Sequence, residues 1–359
     1  MVFYRLHIAP GMSVTTASVA RASAAFGFYL TRKDTQSIFY AQFCALVPEV
    51  NTDWLSRSVT LNRRFFLTGL AATAFVSGRL SSASSFRENT LIPLWNSTPP
   101  GGGGPVGQMH VSASGAQSNI SVPTLTVINP VRPNGRAVLI AGGGGYKRIE
   151  AGKESLPAAA WLTARGYTSY ILSYRLPDEG WHDGKLVALQ DAQRALRIVR
   201  EREKEVSVLG FSAGGHLMGM LALRPGFESY APTDEIDQIP AKADSAALIY
   251  PVITLEKPYT HTSVHKIFAG AHASSAAEAE WSVQNYVTPS APAFFLVQAK
   301  DDPVSDPANT LIMFSACEAK HVPVALHRYS SGGHGFSMGR PGTPTEEWPK
   351  RYEKWLAEH

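Results

Sequence analysis

The stretch 206–216 constrains the fold of this chain more than any other. It reads Val-Ser-Val-Leu-Gly-Phe-Ser-Ala-Gly-Gly-His, an apolar run, a turn of small residues and the start of an apolar helix. Gly210, Ser212 and Gly214 form a Gly-x-Ser-x-Gly pattern at the turn. A serine on a sharp strand-to-helix turn leaves no space for side chains two positions away, which explains both glycines. The pattern predicts a nucleophilic Ser212 above a helix amino end, where free N–H groups stabilise an oxyanion.

An ordinary turn between a strand and a helix is the alternative, because short patterns of this kind also arise by chance. The rest of the chain favours the catalytic interpretation, since strands and helices alternate along it. Predicted strands cover 124–128, 136–140, 167–174, 206–209, 245–252, 292–298 and 322–329. Predicted helices cover 154–165, 185–202, the stretch after Ser212 to Leu223, 308–320 and 345–357, with two more in the polar stretch 254–287. This order predicts an α/β fold with a mostly parallel central sheet and helices on both faces.

The chain divides by composition into two N-terminal segments and one predicted domain. Residues 119–359 carry the alternating pattern and are expected to form the catalytic domain. Residues 84–118 are rich in Ser, Pro, Gly and Asn, which is typical of a lead-in loop with little core. Residues 1–83 form an extension with eight basic and three acidic residues, whereas the remainder has 25 basic and 26 acidic residues. The net positive charge therefore belongs to the extension and does not indicate a nucleic-acid partner.

The extension contains a predicted export signal. Residues 62–67 read Asn-Arg-Arg-Phe-Phe-Leu, an apolar stretch follows to Val76, and the small residues 81–83 suit a signal peptidase. This arrangement predicts a twin-arginine signal and a periplasmic or secreted protein. The apolar part is too short for a stable membrane span, and a short amphipathic anchor is the alternative. Because export signals begin near the initiator, we expect that the true start lies near Val59 and that residues 1–58 are a mis-assigned beginning.

A serine nucleophile needs a base and a group that orients the base. Of the eleven histidines, His334 follows the last predicted strand in a Gly-Gly-His-Gly turn, whereas His216 lies inside the helix after Ser212. The acid is expected after a late strand. Asp301 and Asp302 both follow such a strand, and Glu256 is a more distant candidate.

No metal or cofactor is predicted. The polar stretch contains His261, His265 and His272, but no carboxylate pattern accompanies them, and a solvated surface explains them better than a metal site. Cys44 and Cys317 lack the spacing of a metal site or a disulfide.

The glycine run 142–145 follows a buried strand and is the predicted oxyanion loop. Glycines let the backbone approach a substrate, so Gly144 and Gly145, with Ala213 after the serine, are the expected N–H donors. A phosphate-binding loop would continue with Gly-Lys-Ser or Gly-Lys-Thr, and a dinucleotide site would have an acid after the next strand. The chain has neither feature.

Five motifs together resemble one family. They are the glycine run 141–146, Gly152-Lys153-Glu154, 173–177 (Ser-Tyr-Arg-Leu-Pro), 190–195 (Gln-Asp-Ala-Gln-Arg-Ala) and 210–216. The combination resembles the α/β-hydrolase esterase family of acetyl-xylan and feruloyl esterases, whose members are often labelled endo-1,4-β-xylanase or lipase-like. The resemblance runs from about Leu91 to the C-terminus.

The resemblance implies a role for each matching residue. Ser212 is the expected nucleophile and His334 the expected base. The turn 299–304 matches the Gly-x-x-Asp-x-Val pattern of the family with Ala for Gly, which favours Asp302 over Asp301 as the acid. The glycine run of the family usually follows a proline, and this chain has Gly142 there. The matches at Tyr174, Arg175 and Asp191 are expected to be structural.

We therefore expect an exported serine carboxylesterase that hydrolyses short-chain esters, above all acetyl esters, on a small molecule or on carbohydrate such as acetylated xylan. Alternatives are a serine peptidase or lipase-like hydrolase of the same fold, although the chain has no room for the propeller or large cap of such peptidases. A non-catalytic carbohydrate-binding protein on the same scaffold is the other alternative. Cleavage of a glycosidic bond normally needs two facing carboxylates. The predicted serine triad accounts for the motifs without such a pair, so glycoside hydrolysis is not expected.

Overall fold

The computed structural model of the protein describes residues 90–359. Its ten strands are β1 (Thr90–Pro93), β2 (His110–Val111), β3 (Gln117–Ser118), β4 (Thr124–Ile128), β5 (Arg136–Ala141), β6 (Thr168–Ser173), β7 (Glu205–Phe211), β8 (Ser245–Ile249), β9 (Ala293–Ala299) and β10 (Val324–Tyr329). Its seven α-helices are α1 (Leu156–Thr163), α2 (Val187–Arg202), α3 (Ala213–Leu223), α4 (Ser263–Phe268), α5 (Ser275–Glu280), α6 (Ala308–Ala319) and α7 (Trp348–Glu358). A one-turn π-helix, Ala151–Ser155, leads directly into α1.

Eight of these strands form one sheet in the order β1-β4-β6-β5-β7-β8-β9-β10, and β2 pairs only with β3. Six neighbouring strands of this sheet are parallel, namely β6, β5, β7, β8, β9 and β10. At the other edge, β4 pairs antiparallel with β6, and β1 pairs antiparallel with β4. The predicted α/β fold with a mostly parallel sheet is confirmed.

The core has two layers because the central strands are buried on both faces. Along β5, Leu139 packs into one layer and its neighbour Ile140 into the other. Leu196 of α2 packs in the first layer, and Leu162 of α1 and Trp348 of α7 pack in the second. Helices therefore cover both faces, as expected for a sheet whose strands read as continuous apolar runs.

The lead-in segment differs from the prediction. Strand β1 occupies residues that we expected to be loop, and the following Leu94 is only 1% exposed. Pro93, at the end of this four-residue strand, is compatible with the edge of the sheet, because the N–H groups on the outer side of an edge strand need no partner strand. The predicted export signal and start site lie in residues 1–83, outside the described residues. Within residues 90–359, no helix combines the length and the apolar character that a membrane span requires.

Candidate active site

Ser212 lies on the turn between β7 and α3 in a strained backbone conformation. Its φ is +51° and its ψ is −118°, a region that non-glycine residues rarely occupy. A Cβ atom on Gly210 would lie 2.2 Å from the carbonyl oxygen of Gly214, and one on Gly214 would lie 2.3 Å from that of Ala141. Both flanking positions therefore require glycine, as the sequence pattern indicates.

The loop after β10 brings His334 to this turn. The Nε2 atom of His334 is 2.8 Å from Oγ of Ser212. Its Nδ1 atom is 2.8 Å from Oδ2 of Asp302, which follows β9. The Asp302 side chain is fully buried, whereas 17% of the His334 side chain is exposed. The three residues expected to form the triad therefore lie in one hydrogen-bonded chain.

The two neighbouring aspartates have different surroundings. Oδ1 of Asp302 accepts hydrogen bonds from the N–H groups of Val304 (2.8 Å) and Ser305 (3.0 Å), which fix the carboxylate beneath the imidazole. Asp301 instead accepts from Gly333 (2.8 Å) and Gly332 (3.2 Å) in the loop that carries the histidine. The Gly333 N–H lowers the pKa of Asp301 from its ordinary value. Asp302 thus contacts the imidazole of His334, and Asp301 holds the glycine turn that precedes His334 in the chain.

The glycine run lies beside Ser212. Gly144 has a φ of +115° and Gly145 a φ of +64°, which favour glycine. A Cβ atom on Gly144 would lie 2.3 Å from the carbonyl oxygen of Arg148. Within residues 90–359, the N–H groups of Gly144, Gly145 and Ala213 donate to no protein acceptor. The three groups expected to bind an oxyanion are therefore free to do so.

His216 supports this loop from below and does not act on Ser212. The Tyr146 hydroxyl donates to Nδ1 of His216 (2.9 Å), and Nε2 donates to the carbonyl oxygen of Trp281 (2.8 Å). Complete burial lowers the pKa of His216 to about 4, so the imidazole is neutral. Its partner Tyr146 directly follows Gly145 of the oxyanion loop.

The sequence interpretation assigned no role to Glu154 or Tyr250. Glu154 lines the cleft above Ser212 and accepts a hydrogen bond from the N–H of Gly143 (2.6 Å). Tyr250 follows β8, and its ring lies edge-on to His334 with the ring centres 4.9 Å apart. The signal for Glu154 was the Gly-Lys-Glu motif, an acid between the glycine run and an apolar helix. Tyr250 gave no signal, because only the folded sheet brings the end of β8 to the histidine.

The other candidates lie in different environments. Glu256 accepts from the side-chain amide of Asn285 at 2.7 Å. His265 pairs with Glu278, with Nε2 3.1 Å from Oε1. Across the described residues, no three His, Cys, Asp or Glu side chains are grouped in a way that could hold a metal ion.

A buried ion pair accounts for two other family-like motifs. Nη2 of Arg175 is 2.9 Å from Oδ1 of Asp191, and neither side chain is exposed. The indole N–H of Trp95 donates to the same carboxylate (2.8 Å), which anchors the segment after β1. Tyr174 donates to the carbonyl oxygen of Gly142 (2.9 Å) and so holds the glycine run.

Ser212 and His334 open into a cleft of about 480 Å³. Its charged lining comes from residues 147–154, and its apolar lining includes Val252, Val264 and Val304. A cleft of this size is within the usual range for small-molecule sites.

Comparison with known proteins identifies related esterases and xylan-active enzymes by name. The BD-FAE family model matches residues 131–316. An acetylxylan esterase from Xylanibacter ruminicola is 28% identical over 224 residues, which covers 58% of this chain and 43% of that protein. An endo-1,4-beta-xylanase B from Butyrivibrio fibrisolvens is 28% identical over 209 residues, covering 56% of this chain and 32% of that protein. The chain thus matches less than half the length of either relative.

The fold matches that of a solved hydrolase over most of the described residues. The acetyl ester-xyloside bifunctional hydrolase from Caldicellulosiruptor lactoaceticus superposes with a TM-score of 0.62 and 27% identity, covering 75% of this chain and 96% of that chain. The family model alone spans more than half of the chain. The chain therefore belongs to the BD-FAE family and has the α/β-hydrolase fold.

Proposed function

We propose that residues 119–359 form a serine carboxylesterase that hydrolyses short-chain esters, above all acetyl esters, on carbohydrate such as acetylated xylan. The observation that carries this proposal is the continuous chain from Ser212 through His334 to Asp302, with both hydrogen bonds at 2.8 Å. A non-catalytic binding protein has no need of such a chain.

The reaction follows from this arrangement. Oγ of Ser212 attacks the ester carbonyl carbon while Nε2 of His334 accepts the hydroxyl proton. Asp302 accepts a hydrogen bond from Nδ1–H, which keeps Nε2 free as the acceptor and stabilises the imidazolium.

The oxyanion and the leaving group complete the first half of the reaction. The free N–H groups of Gly144, Gly145 and Ala213 stabilise the negative oxygen of the tetrahedral intermediate. The intermediate then expels the alcohol, which takes the proton from His334. Water attacks the acyl-Ser212 ester with His334 again as the base, and this step releases the acid and restores the serine.

The two carboxylates of the cleft argue against glycoside hydrolysis at this site. Such cleavage uses one carboxylic acid and one free carboxylate on either side of the bond. Glu150 is held in an ion pair with Arg148, its Oε1 atom 2.5 Å from Nε. Glu154 accepts hydrogen bonds from Gly143 and Tyr250. Both carboxylates thus have partners within the protein, and the chain from Ser212 to Asp302 accounts for the site without them.

The substrate is supported by the names of the relatives and by the open cleft. The acetylxylan esterase and the acetyl ester-xyloside hydrolase both act, by their names, on acetyl esters or xylosides. A serine peptidase or a lipase-like hydrolase of the same fold is the alternative.

Hydrolysis assays test this proposal. We expect turnover of p-nitrophenyl acetate and release of acetate from acetylated xylan, with lower rates on longer acyl chains and no hydrolysis of p-nitrophenyl xyloside. Ser212→Ala should lower kcat at least about 10³-fold. Undiminished ester hydrolysis in that variant, or none in the folded wild-type protein, would refute the proposal.

We also propose that the chain is exported by the twin-arginine route. The proposal is supported by the paired arginines 63 and 64, the apolar stretch after them and the small residues 81–83. A polymeric substrate outside the cytoplasm fits such a location.

A further inference from the structure

Glu154 is a buried carboxylate that forms no salt bridge within residues 90–359. It is only 4% exposed although it lines the cleft. The two basic side chains nearest in sequence, Arg148 and Lys153, approach Glu150 instead, at 2.5 and 4.0 Å. Burying a carboxylate is unfavourable unless its surroundings compensate, so its place beside a reactive serine calls for a functional explanation.

One carboxylate oxygen holds the oxyanion loop. Oε2 of Glu154 accepts from the N–H of Gly143 at 2.6 Å. Gly143 is pressed against the nucleophile, since a Cβ atom on it would lie 2.7 Å from Cβ of Ser212. The next residue is Gly144, whose N–H is an expected oxyanion donor. The carboxylate therefore fixes the backbone from which the oxyanion loop begins.

The other oxygen reaches the loop that carries His334. Oε1 of Glu154 is 3.0 Å from the hydroxyl of Tyr250, and the N–H of Ser337 donates to that hydroxyl oxygen at 3.0 Å. The Ser337 hydroxyl also donates to the carbonyl oxygen of Lys153, at 2.5 Å. Because the Tyr250 oxygen accepts from Ser337, its own hydrogen points to Glu154. Both carboxylate oxygens are then acceptors, which suits the ionised form.

The charge of Glu154 also acts on the imidazole. Burial raises the pKa of Glu154 from its ordinary value, and the Gly143 and Tyr250 hydrogen bonds and the His334 charge oppose that rise. The titratable groups around this pair are Glu150 on the same turn, Tyr174 after β6, Tyr250 after β8, Asp302 after β9 and His334 after β10. Cations also face the pair, since Nη2 of Arg340 is 3.1 Å from the carbonyl oxygen of His334, and Lys147, Arg148 and Lys153 line the same cleft. Against these cations, a negative Glu154 favours the protonated imidazole that forms in each half of the reaction.

We infer that Glu154 is a positioning residue of the esterase site. Its carboxylate joins the oxyanion loop to the histidine loop through Gly143 and Tyr250, and its charge stabilises protonated His334. The inference rests on the proposed function, because the two loops have this role only if Ser212 is the nucleophile.

The replacement Glu154→Gln tests the inference because it keeps the shape and removes the charge. We expect kcat for p-nitrophenyl acetate to fall about tenfold or more, with KM changed less than about threefold. The acid limb of the kcat/KM profile should move to lower pH, because the charge that favours the protonated imidazole is gone. The matched control is Glu201→Gln on the exposed end of α2, whose kcat and profile should equal those of the wild type.

Tyr250→Phe separates the bridge from the charge. It keeps the ring against His334 and removes the hydroxyl, so kcat should fall while the acid limb moves less than in Glu154→Gln. If Glu154→Gln does not fold, Glu154→Asp replaces it. The aspartate should lower kcat, since it is too short to hold both loops, yet keep the acid limb.

Thermal unfolding identifies which variants are folded. A folded Glu154→Gln protein with wild-type kcat, or with reduced kcat and an unmoved acid limb, would overturn the inference, and so would an acid limb that shifts in Glu154→Asp. Failure of the proposed function would look different, because the wild type itself would show no hydrolysis that depends on Ser212.

Discussion

Replacing Asp302 with asparagine should almost abolish catalysis while preserving the fold. Oδ2 of Asp302 accepts from His334 (2.8 Å) and from the amide of Gln298 (2.8 Å), and Oδ1 accepts from two backbone N–H groups. The asparagine oxygen can keep the backbone contacts, which turns its NH₂ group toward two other donors. The NH₂ group donates to Nδ1 of His334, so the neutral imidazole carries its hydrogen on Nε2. Nε2 can then no longer accept the proton of Ser212. The corresponding change in a serine triad lowers kcat about 10⁴-fold, equivalent to about 5 kcal/mol of transition-state stabilisation.

Asp301→Asn is the matched control for this experiment. An amide oxygen can still accept from Gly333, so we expect kcat to fall less than about tenfold. Initial rates with p-nitrophenyl acetate, together with thermal unfolding curves, compare both variants with the wild type. A larger loss in Asp301→Asn than in Asp302→Asn would refute the assignment of the acid.

Three further predictions concern the turn, the buried histidine and export. Gly210→Ala should destabilise the protein by about 3 kcal/mol or more, because its Cβ would lie 2.2 Å from the carbonyl oxygen of Gly214. Gly226→Ala is the control, since nothing lies near its Cβ position, and it should leave the thermal midpoint nearly unchanged. Similar thermal midpoints for the two variants would contradict this prediction. Burial lowers the pKa of His216 to about 4, so between about pH 6.5 and pH 4 only the unfolded chain gains this proton, and the free energy of unfolding should fall by up to about 3 kcal/mol. Urea unfolding should show a shallower pH dependence in His216→Gln, and an equally steep dependence would exclude this source. Replacing Arg63 and Arg64 with lysine should retain the full chain in the cytoplasm, as fractionation would show, and unchanged export would contradict a twin-arginine signal.

The order of strands and helices was predictable because the pattern is local. The strands of the parallel sheet are buried on both faces and appear as unbroken apolar runs, as in β5 and β9. Strand β1 was missed, since its four residues lie in a segment rich in Ser, Pro and Gly and are recruited by pairing with β4. Such an edge contact depends on the finished sheet and has no local signature.

Some residues of the site were predictable from local sequence, and others were not. Ser212 and His334 were predictable because each lies on a turn whose glycines are required by close contacts or positive φ values. Separating Asp302 from Asp301 required the resemblance to a family, since both follow the same strand. Glu154 and Tyr250 meet only when the end of β8 approaches the turn before α1, so no spacing in the sequence links them.

The most direct test of the central claim is to trap the acyl-enzyme. The protein is mixed with p-nitrophenyl acetate, quenched in acid during turnover and digested, and the acetylated peptide is sequenced by mass spectrometry. We predict one acetyl group on Ser212, absent in Ser212→Ala and formed much more slowly in Asp302→Asn. Hydrolysis without acetylated Ser212, or acetylation at another residue that Ser212→Ala leaves intact together with its activity, would contradict the account.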